Sequence, residues 1–576
     1  MDIDASRLGD QQLSRRNLLR AAGLGVGVSA LAGLDLRAGF SRAEAATPTA
    51  VLPQMQYDIG AHVPPATTAN EIGATPGVLF GHGPAFTLFV TAALTRTPTL
   101  ADRTTLSRAL ATIEASYRFD PTGVFTFVSY GIPYFSRLPG GFHGPKVSRY
   151  MPRLLSDTTR YALEEAVPGP TDIHPNNPAI TKPRFNVPVS IEGNDVLLTF
   201  RSDLKDHVYD CMLWLAGSNT LAGSIVASPR FGGLFTWTSN RLFFGVKGLT
   251  RQIANQYNLP YQSRINPNQP MWMGFADGVA SAFGPPEICS FQGNAELKLT
   301  TATRGDYFAN GSIQVLNHVI LDLAEFYLTN GSEHDPASPD VGYLERVQYM
   351  YRPNRPDHFG FTDQFTDGGG PGFLDNKFQG NDDVFTGLNT GSLEPGVTVD
   401  QPRVIQTHKV LGHIQCLHRS SRTPAGTPTH IRIDGSGFDN MDVPDGSMQP
   451  KLQFSAMVPT ADRFRQMRVD QASPDLWSRF PIEDGDKGLE PRITATRRQN
   501  FLMPSRSHRA FPLLRPCPEP GAASGVMLTA NRSARRGAID GAAKGGPRRP
   551  PLCAHAVVAA PQEVVNSSVR ERDAIM

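Results

Sequence analysis

The chain has 576 residues, room for several domains, and 40% of them are hydrophobic, enough to bury a core and to exclude wholesale disorder. A net charge of +2 with 19% charged residues gives no global field that would call for nucleic acid or an anionic membrane as partner. Five cysteines without a C-x-x-C pair exclude a disulfide scaffold and a paired-thiolate metal or redox site.

At the N-terminus, Ser14-Arg15-Arg16-Asn17-Leu18-Leu19-Arg20 is a twin-arginine pattern, an uncharged apolar stretch runs from Ala21 to Leu34, and Ala43-Glu44-Ala45 offers small residues to a signal peptidase. Residues 1–45 are therefore expected to be a signal for twin-arginine export to the periplasm or the extracellular space. The apolar stretch is shorter than the roughly 20 residues a spanning helix needs, so no stable membrane span is expected. A linker, 46–82, follows. The segment 83–305 begins with a β-rich run, Pro84 to Ala92, then a helix from Ala101 to Tyr117 with Leu106, Leu110, Ile113 and Tyr117 on one face. A strand at Val124 to Tyr130, a Pro- and Gly-rich loop, a strand at Val196 to Arg201, a helix from Asp203 to Leu215 and a strand at Phe231 to Trp237 complete it. The segment 306–516 repeats the rhythm less clearly. It has a strand at Ser312 to Leu316, helices at Leu321 to Leu328 and Leu344 to Tyr351, a Gly- and Asp-rich loop, and a helical stretch bearing His408, His413 and His418. A short strand at Ile431 to Ile433, a strictly alternating strand at Lys451 to Val458 and a helix marked by Phe464 and Met467 follow. The expected fold is α+β, a pair of duplicated ferredoxin-like (β-α-β-β-α-β) sandwiches. The last segment, 517–576, lacks aromatic residues and has the composition of a disordered tail.

Three groups of residues could carry chemistry. Gly274-Phe275-Ala276-Asp277-Gly278 flanks a carboxylate with two glycines in an apolar neighbourhood that includes Phe275. The glycines leave room for a flat ligand, and a desolvated Asp277 becomes a usable proton acceptor and donor; equally, an aspartate there can close a turn on backbone amides. His408, His413 and His418 stand five apart, so they do not share a helix face; His413, between Leu411 and Ile414, has the most apolar setting and is the better metal ligand of the three. In His430-Ile431-Arg432-Ile433-Asp434 the alternation places Arg432 on the face opposite Ile431 and Ile433, either on the surface or inward beside an anionic partner.

Taken in order, these segments resemble the dye-decolorizing peroxidases, a heme-binding family with a duplicated ferredoxin-like fold. The resemblance rests on the G-x-x-D-G motif at Gly274 to Gly278, the Asn310-Gly311-Ser312 strand with the Leu321-Asp322-Leu323 helix, His413-Ile414, the arginine strand and glycine turn from His430 to Phe438, and the strand and helix from Leu452 to Met467. It implies heme b between the helices and sheet of the C-terminal half, with His413 as axial iron ligand, Gly274 and Phe275 against the cofactor, and His318 at a propionate. It further implies Asp277 as acid–base catalyst for hydrogen peroxide and Arg432 as stabiliser of developing negative charge, with an organic reductant as second substrate. The alternative is an exported heme- or iron-binding protein of the same fold with little or no turnover. His358-Phe359-Gly360-Phe361-Thr362-Asp363 echoes the aspartate motif at a position that does not suit the family, so Asp363 ranks below Asp277.

Overall fold

The computed structural model describes residues 52–63, 84–177, 181–246, 248–265, 267, 270–273, 285–328, 416, 419–421 and 429–514. Gly274, Phe275, Asp277, His408, His413, His418, Asp363, the export signal and the expected tail lie outside these residues. Among the described residues no helix is long and apolar enough to cross a membrane.

The first half comprises β1 (Phe86–Leu94), α1 (Leu100–Ser116), β2 (Phe125–Tyr130), β3 (Val196–Ser202), α2 (Lys205–Leu215) and β4 (Phe235–Phe244). The second comprises β5 (Ser312–Leu321), α3 (Leu323–Leu328), β6 (Ile431–Asp439), β7 (Gln449–Val458), α4 (Ala461–Ala472) and β8 (Ile493–Met503). Each half forms a four-stranded antiparallel sheet in which the strands lie second, third, first, fourth: β2-β3-β1-β4 and β6-β7-β5-β8. The two sheets join edge to edge, β4 to β6 through Phe244 and Ser436 and β8 to β2 through Leu502 and Tyr130, so that the eight strands close into a barrel. A two-residue strand, Ser190–Ile191, pairs with β8 in parallel.

Strand alternation sorts side chains to two destinations. Phe89, Phe125, Phe127, Leu197, Leu316, Ile431, Ile433, Met457 and Phe501 point into the barrel and form one apolar cluster. Leu88, Val90, Val196, Leu198, Ile313, Val315 and Val458 point outward and are covered by the helices in a second, larger cluster. Helix α1 shows why the sequence folds this way locally. Thr99 caps it, its hydroxyl accepting from the Asp102 backbone N–H at 3.3 Å while the Asp102 carboxylate accepts from the Thr99 N–H at 2.7 Å. Its apolar face, Leu106, Leu110 and Ile113 together with Tyr117, is at most 1% exposed. Helix α4 likewise starts at a threonine cap, Thr460, and ends at Ser473 in the left-handed region (φ 52°).

Four segments differ from the sequence expectation. β5 continues to Leu321, where the helix had been expected to start; β6 is nine residues long rather than three; β4 ends at Phe244; and β8 had not been expected. Every residue of β5 is buried, so it lies covered on both faces and shows no alternation of polar and apolar positions. β8 carries Arg497, Arg498, Gln499 and Asn500 in a row, which masks it as a strand.

Candidate active site

A cavity of about 1200 Å³, part of it open to solvent, lies between the outer face of the second sheet and α4. The sheet contributes alternate residues: Asn317, Val319 and Leu321 from β5, Arg432, Asp434 and Ser436 from β6, Leu452 and Phe454 from β7, and Ala495 and Arg498 from β8. Phe464, Met467 and Arg468 of α4 line it too, with the Phe464 ring 6.1 Å from that of Phe454. One-residue alternation thus gives the sheet wall an apolar middle with cations beside it. This lining, mostly apolar with a few charged groups, suits a largely apolar ligand.

Residues that flank the Gly274–Gly278 motif and the His413 segment in the sequence border the same cavity. Met271, Trp272 and Met273 line it immediately before Gly274 in the sequence. They are pinned to β6: Ser436 Oγ donates to the Pro270 carbonyl at 3.0 Å, and the Trp272 indole N–H donates to the Gly437 carbonyl at 2.9 Å. Tyr327 of α3 donates its hydroxyl to the Trp272 carbonyl at 2.8 Å. On the other side, Ser420 lines the cavity seven residues after His413. Its carbonyl accepts from Arg463 of α4 at 3.2 Å, and the buried Cys416 thiol accepts from Ser473 Oγ at 3.8 Å.

Arg432 lies on the cavity face of β6, with Ile431 and Ile433 inside the barrel, and is 8% exposed. Its guanidinium is 3.8 Å from the Asp434 carboxylate, two residues along on the same face. His318 is placed otherwise. Its neighbours Asn317 and Val319 line the cavity, while its own ring points to the opposite face of β5 and is fully buried. There Nδ1 lies 2.7 Å from Thr496 Oγ1 and Nε2 lies 3.2 Å from Asp439 Oδ1. Burial holds the imidazole below its ordinary pKa, against the pull of Asp439, so the ring is neutral near pH 7. The strand period therefore separates His318 from the cofactor contact that the resemblance implies for it.

The structure also assembles an ionic cluster that sequence reasoning missed. Arg498 donates to Asp172 at 2.6 Å and to Asn317 Oδ1 at 2.7 Å; Arg468 grips Glu490 with two bonds of 3.2 and 3.1 Å. Thr171 donates to the same Glu490 carboxylate, and Lys182 Nζ donates to the Glu490 carbonyl. Burial alone would raise both carboxyls, but Arg498 beside Asp172 and Arg468 beside Glu490 hold them below their ordinary values. Burial pushes Lys182 down to about 8. Three cations thus face two carboxylates at one end of the cavity. The adjacent pair Arg497-Arg498 within an otherwise strand-like segment was the available signal; nothing local marks Asp172, which sits in a loop.

Among the described residues no group of three His, Cys, Asp or Glu side chains is arranged to hold a metal ion. No protein-family model matches the sequence, and neither does any curated protein. Solved structures do resemble the chain. A dye-decolorizing peroxidase from Bacteroides thetaiotaomicron is 12% identical with a TM-score of 0.38, covering 77% of this chain and 99% of its own. The encapsulated DyP-type peroxidase from Mycobacterium smegmatis is 14% identical with a TM-score of 0.37, covering 78% of this chain and 100% of its own. A Rhodococcus jostii DypB variant, solved in complex with heme, is 12% identical with a TM-score of 0.36, covering 74% and 96%. Likeness at this level transfers no residue from those proteins to this chain.

Proposed function

We propose that the chain is an exported heme-dependent peroxidase built on two ferredoxin-like halves, with heme b seated in the cavity against the second sheet. The observation that supports this most is convergence: Arg432, the residues that run into the Gly274–Gly278 motif and a residue just past the His413 segment all border one cavity. The described walls suit the group. Val319, Leu452, Phe454, Phe464 and Met467 line the cavity with apolar surface that would meet a porphyrin, and Arg468 and Arg498, each already holding a carboxylate, would add cationic donors near its carboxylate edge. When bound, heme supplies the redox chemistry that splits peroxide and draws electrons from an organic reductant.

The chain's own residues do the rest. His413 would hold the heme iron through an imidazole nitrogen. Asp277 would accept a proton from one peroxide oxygen and return it to the other, a transfer typically worth a factor of about 10²–10⁴. Arg432 would orient peroxide and offset the negative charge that develops on it. Pro270 and Trp272, tied to β6, would fix the start of the Asp277 segment relative to Arg432.

Protein produced with heme in supply should show a Soret band that is lost in His413→Ala. Asp277→Asn should keep the band and slow peroxide reduction by about 10²-fold or more. A colourless wild-type protein, or a band indifferent to His413, overturns the reading. A second reading, heme or iron holding with little turnover, draws support from the Arg432–Asp434 pair, since a guanidinium engaged by a carboxylate stabilises a second anion less. Tight heme with background peroxide turnover in the wild type would select it.

A further inference from the structure

The loop between β2 and β3 ends its first part as a strap, Ala162 to Asp172. The Ala461 N–H at the start of α4 donates to the Ala162 carbonyl at 2.9 Å, Asn500 of β8 donates to the Glu164 carbonyl at 3.2 Å, and Arg498 donates to the Val167 carbonyl at 2.6 Å. Between this strap and α4 lies a second hollow of about 420 Å³, part of it open to solvent. Its enclosed part has room for about three molecules the size of water. Pro168 and Pro170 of the strap and Val469 of α4 give it apolar walls. Phe464 and Arg468 line both this hollow and the larger cavity, so the two spaces meet at these side chains.

Asn500 lies two residues beyond Arg498 on the same face of β8, lines the hollow and is 5% exposed. Its Nδ2 is committed to the Glu164 carbonyl, which can only accept, and this fixes which end of the amide is the oxygen. Oδ1 is buried and, among the described residues, has no hydrogen-bond partner. A buried acceptor without a donor is unfavourable, and a small solute carrying an O–H would satisfy it. Of the two side chains shared with the cavity, Arg468 is held by two bonds to Glu490, whereas the buried Phe464 ring is held only by apolar packing, with the Phe454 ring 6.1 Å away.

We propose that this hollow is the entrance for hydrogen peroxide, separate from the open side of the large cavity, with Phe464 as the leaf that turns to let it through. The proposal rests on the peroxidase reading above. Peroxide is neutral, little larger than water, and both donates and accepts hydrogen bonds. It therefore fits the enclosed space and can donate to Asn500 Oδ1 before it passes Phe464. A molecule with several carbon atoms does not fit there and must use the opening of the cavity itself.

The test uses the full chain loaded with heme. Val469→Trp, at a half-buried helix position that does not line the cavity, fills the hollow. It should slow the binding of hydrogen cyanide, a neutral molecule of about peroxide's size followed by the shift of the Soret band, by at least about tenfold. It should lower kcat/KM for hydrogen peroxide by a similar factor and leave kcat/KM for tert-butyl hydroperoxide within about twofold of wild type. Asn500→Leu, which keeps the volume and removes the acceptor, should slow both small molecules by about threefold or more. Should Val469→Trp fail to fold, Val469→Phe replaces it with the same expected pattern. Unchanged cyanide binding in the Val469 variant, or an equal loss for both peroxides, overturns the entrance and leaves the heme reading standing. A wild-type protein without a Soret band overturns that reading, and the entrance with it.

Discussion

Asp439 shows how much one side chain inside the barrel can organise. It accepts from Gln453 Nε2 at 3.1 Å and from the Met441 backbone N–H at 3.0 Å, meets His318 at 3.2 Å and lies 3.5 Å from Lys451 Nζ. Burial would raise its carboxyl, but the contacts with His318 and Lys451 outweigh that and hold it at about 2. An unfolded aspartate titrates near 3.9. The folded chain therefore gains stability from Asp439 above about pH 4, on the order of 2 kcal/mol, and loses it as pH falls towards 2. His318 acts in the same direction at higher pH. Its pKa is depressed on folding, so the unfolded chain takes up a proton first, and stability declines as pH drops below roughly 6.5. Urea unfolding at pH 7, 5 and 3 should show both losses in sequence. Asp439→Asn should flatten the acid limb and cost about 3–5 kcal/mol at pH 7, because Lys451 loses its nearest carboxylate inside the fold.

The elements were legible where burial is one-sided. Leu452, Phe454, Ala456 and Val458 alternate as the sequence predicts, and they form the outer face of β7, towards the helices. Arg432 sits opposite Ile431 and Ile433, as the alternation of β6 requires. Helix α1 shows its face through Leu106, Leu110 and Ile113. Legibility failed where polar residues are buried. Arg497 is held by Asp442 through two bonds of 2.8 Å and Arg498 by Asp172, partners more than 50 residues away that no local pattern announces. The pairing of the two sheets is equally non-local. Gln56 lies outside any strand, yet its amide nitrogen donates to the carbonyls of Val128 at 3.0 Å and Pro504 at 2.7 Å, and its oxygen accepts from the Val128 N–H at 2.9 Å. It mends the join between β2 and β8, where one residue pair bridges the strands. Gln56→Leu should leave these backbone groups unsatisfied and destabilise the chain by about 2–4 kcal/mol. Amide exchange at Val128 should accelerate more than exchange in the middle of β1; uniform acceleration would mean that Gln56 does not act at the join.

For the molecule as a whole, the cavity was not legible in the sequence, because its described lining comes from separate stretches that the barrel brings to one place. Asp172 and Lys182 belong to the long loop after β2, whereas Arg468, Glu490 and Arg498 belong to the second half. The ionic cluster thus fastens a first-half loop to the wall of the second-half cavity. Asp172→Ala should leave Arg498 buried beside Arg468 without its carboxylate and cost about 3–5 kcal/mol in overall stability. If the cavity holds heme as proposed, this change should also weaken heme retention, readable as faster loss of the Soret band to a competing heme scavenger.

The barrel's closure has a consequence for assembly. Each sheet meets the other through a single residue pair at either edge, and each meeting point is braced by a side chain from outside the strands, Gln56 at one and Trp272 at the other. A nascent product that has completed only its first sheet carries two long bare edges, β2 and β4, each a template for foreign strands. Until the second sheet arrives, such a species is primed for exchange between copies, and the lone glutamine and tryptophan are the clasps that end that exposure.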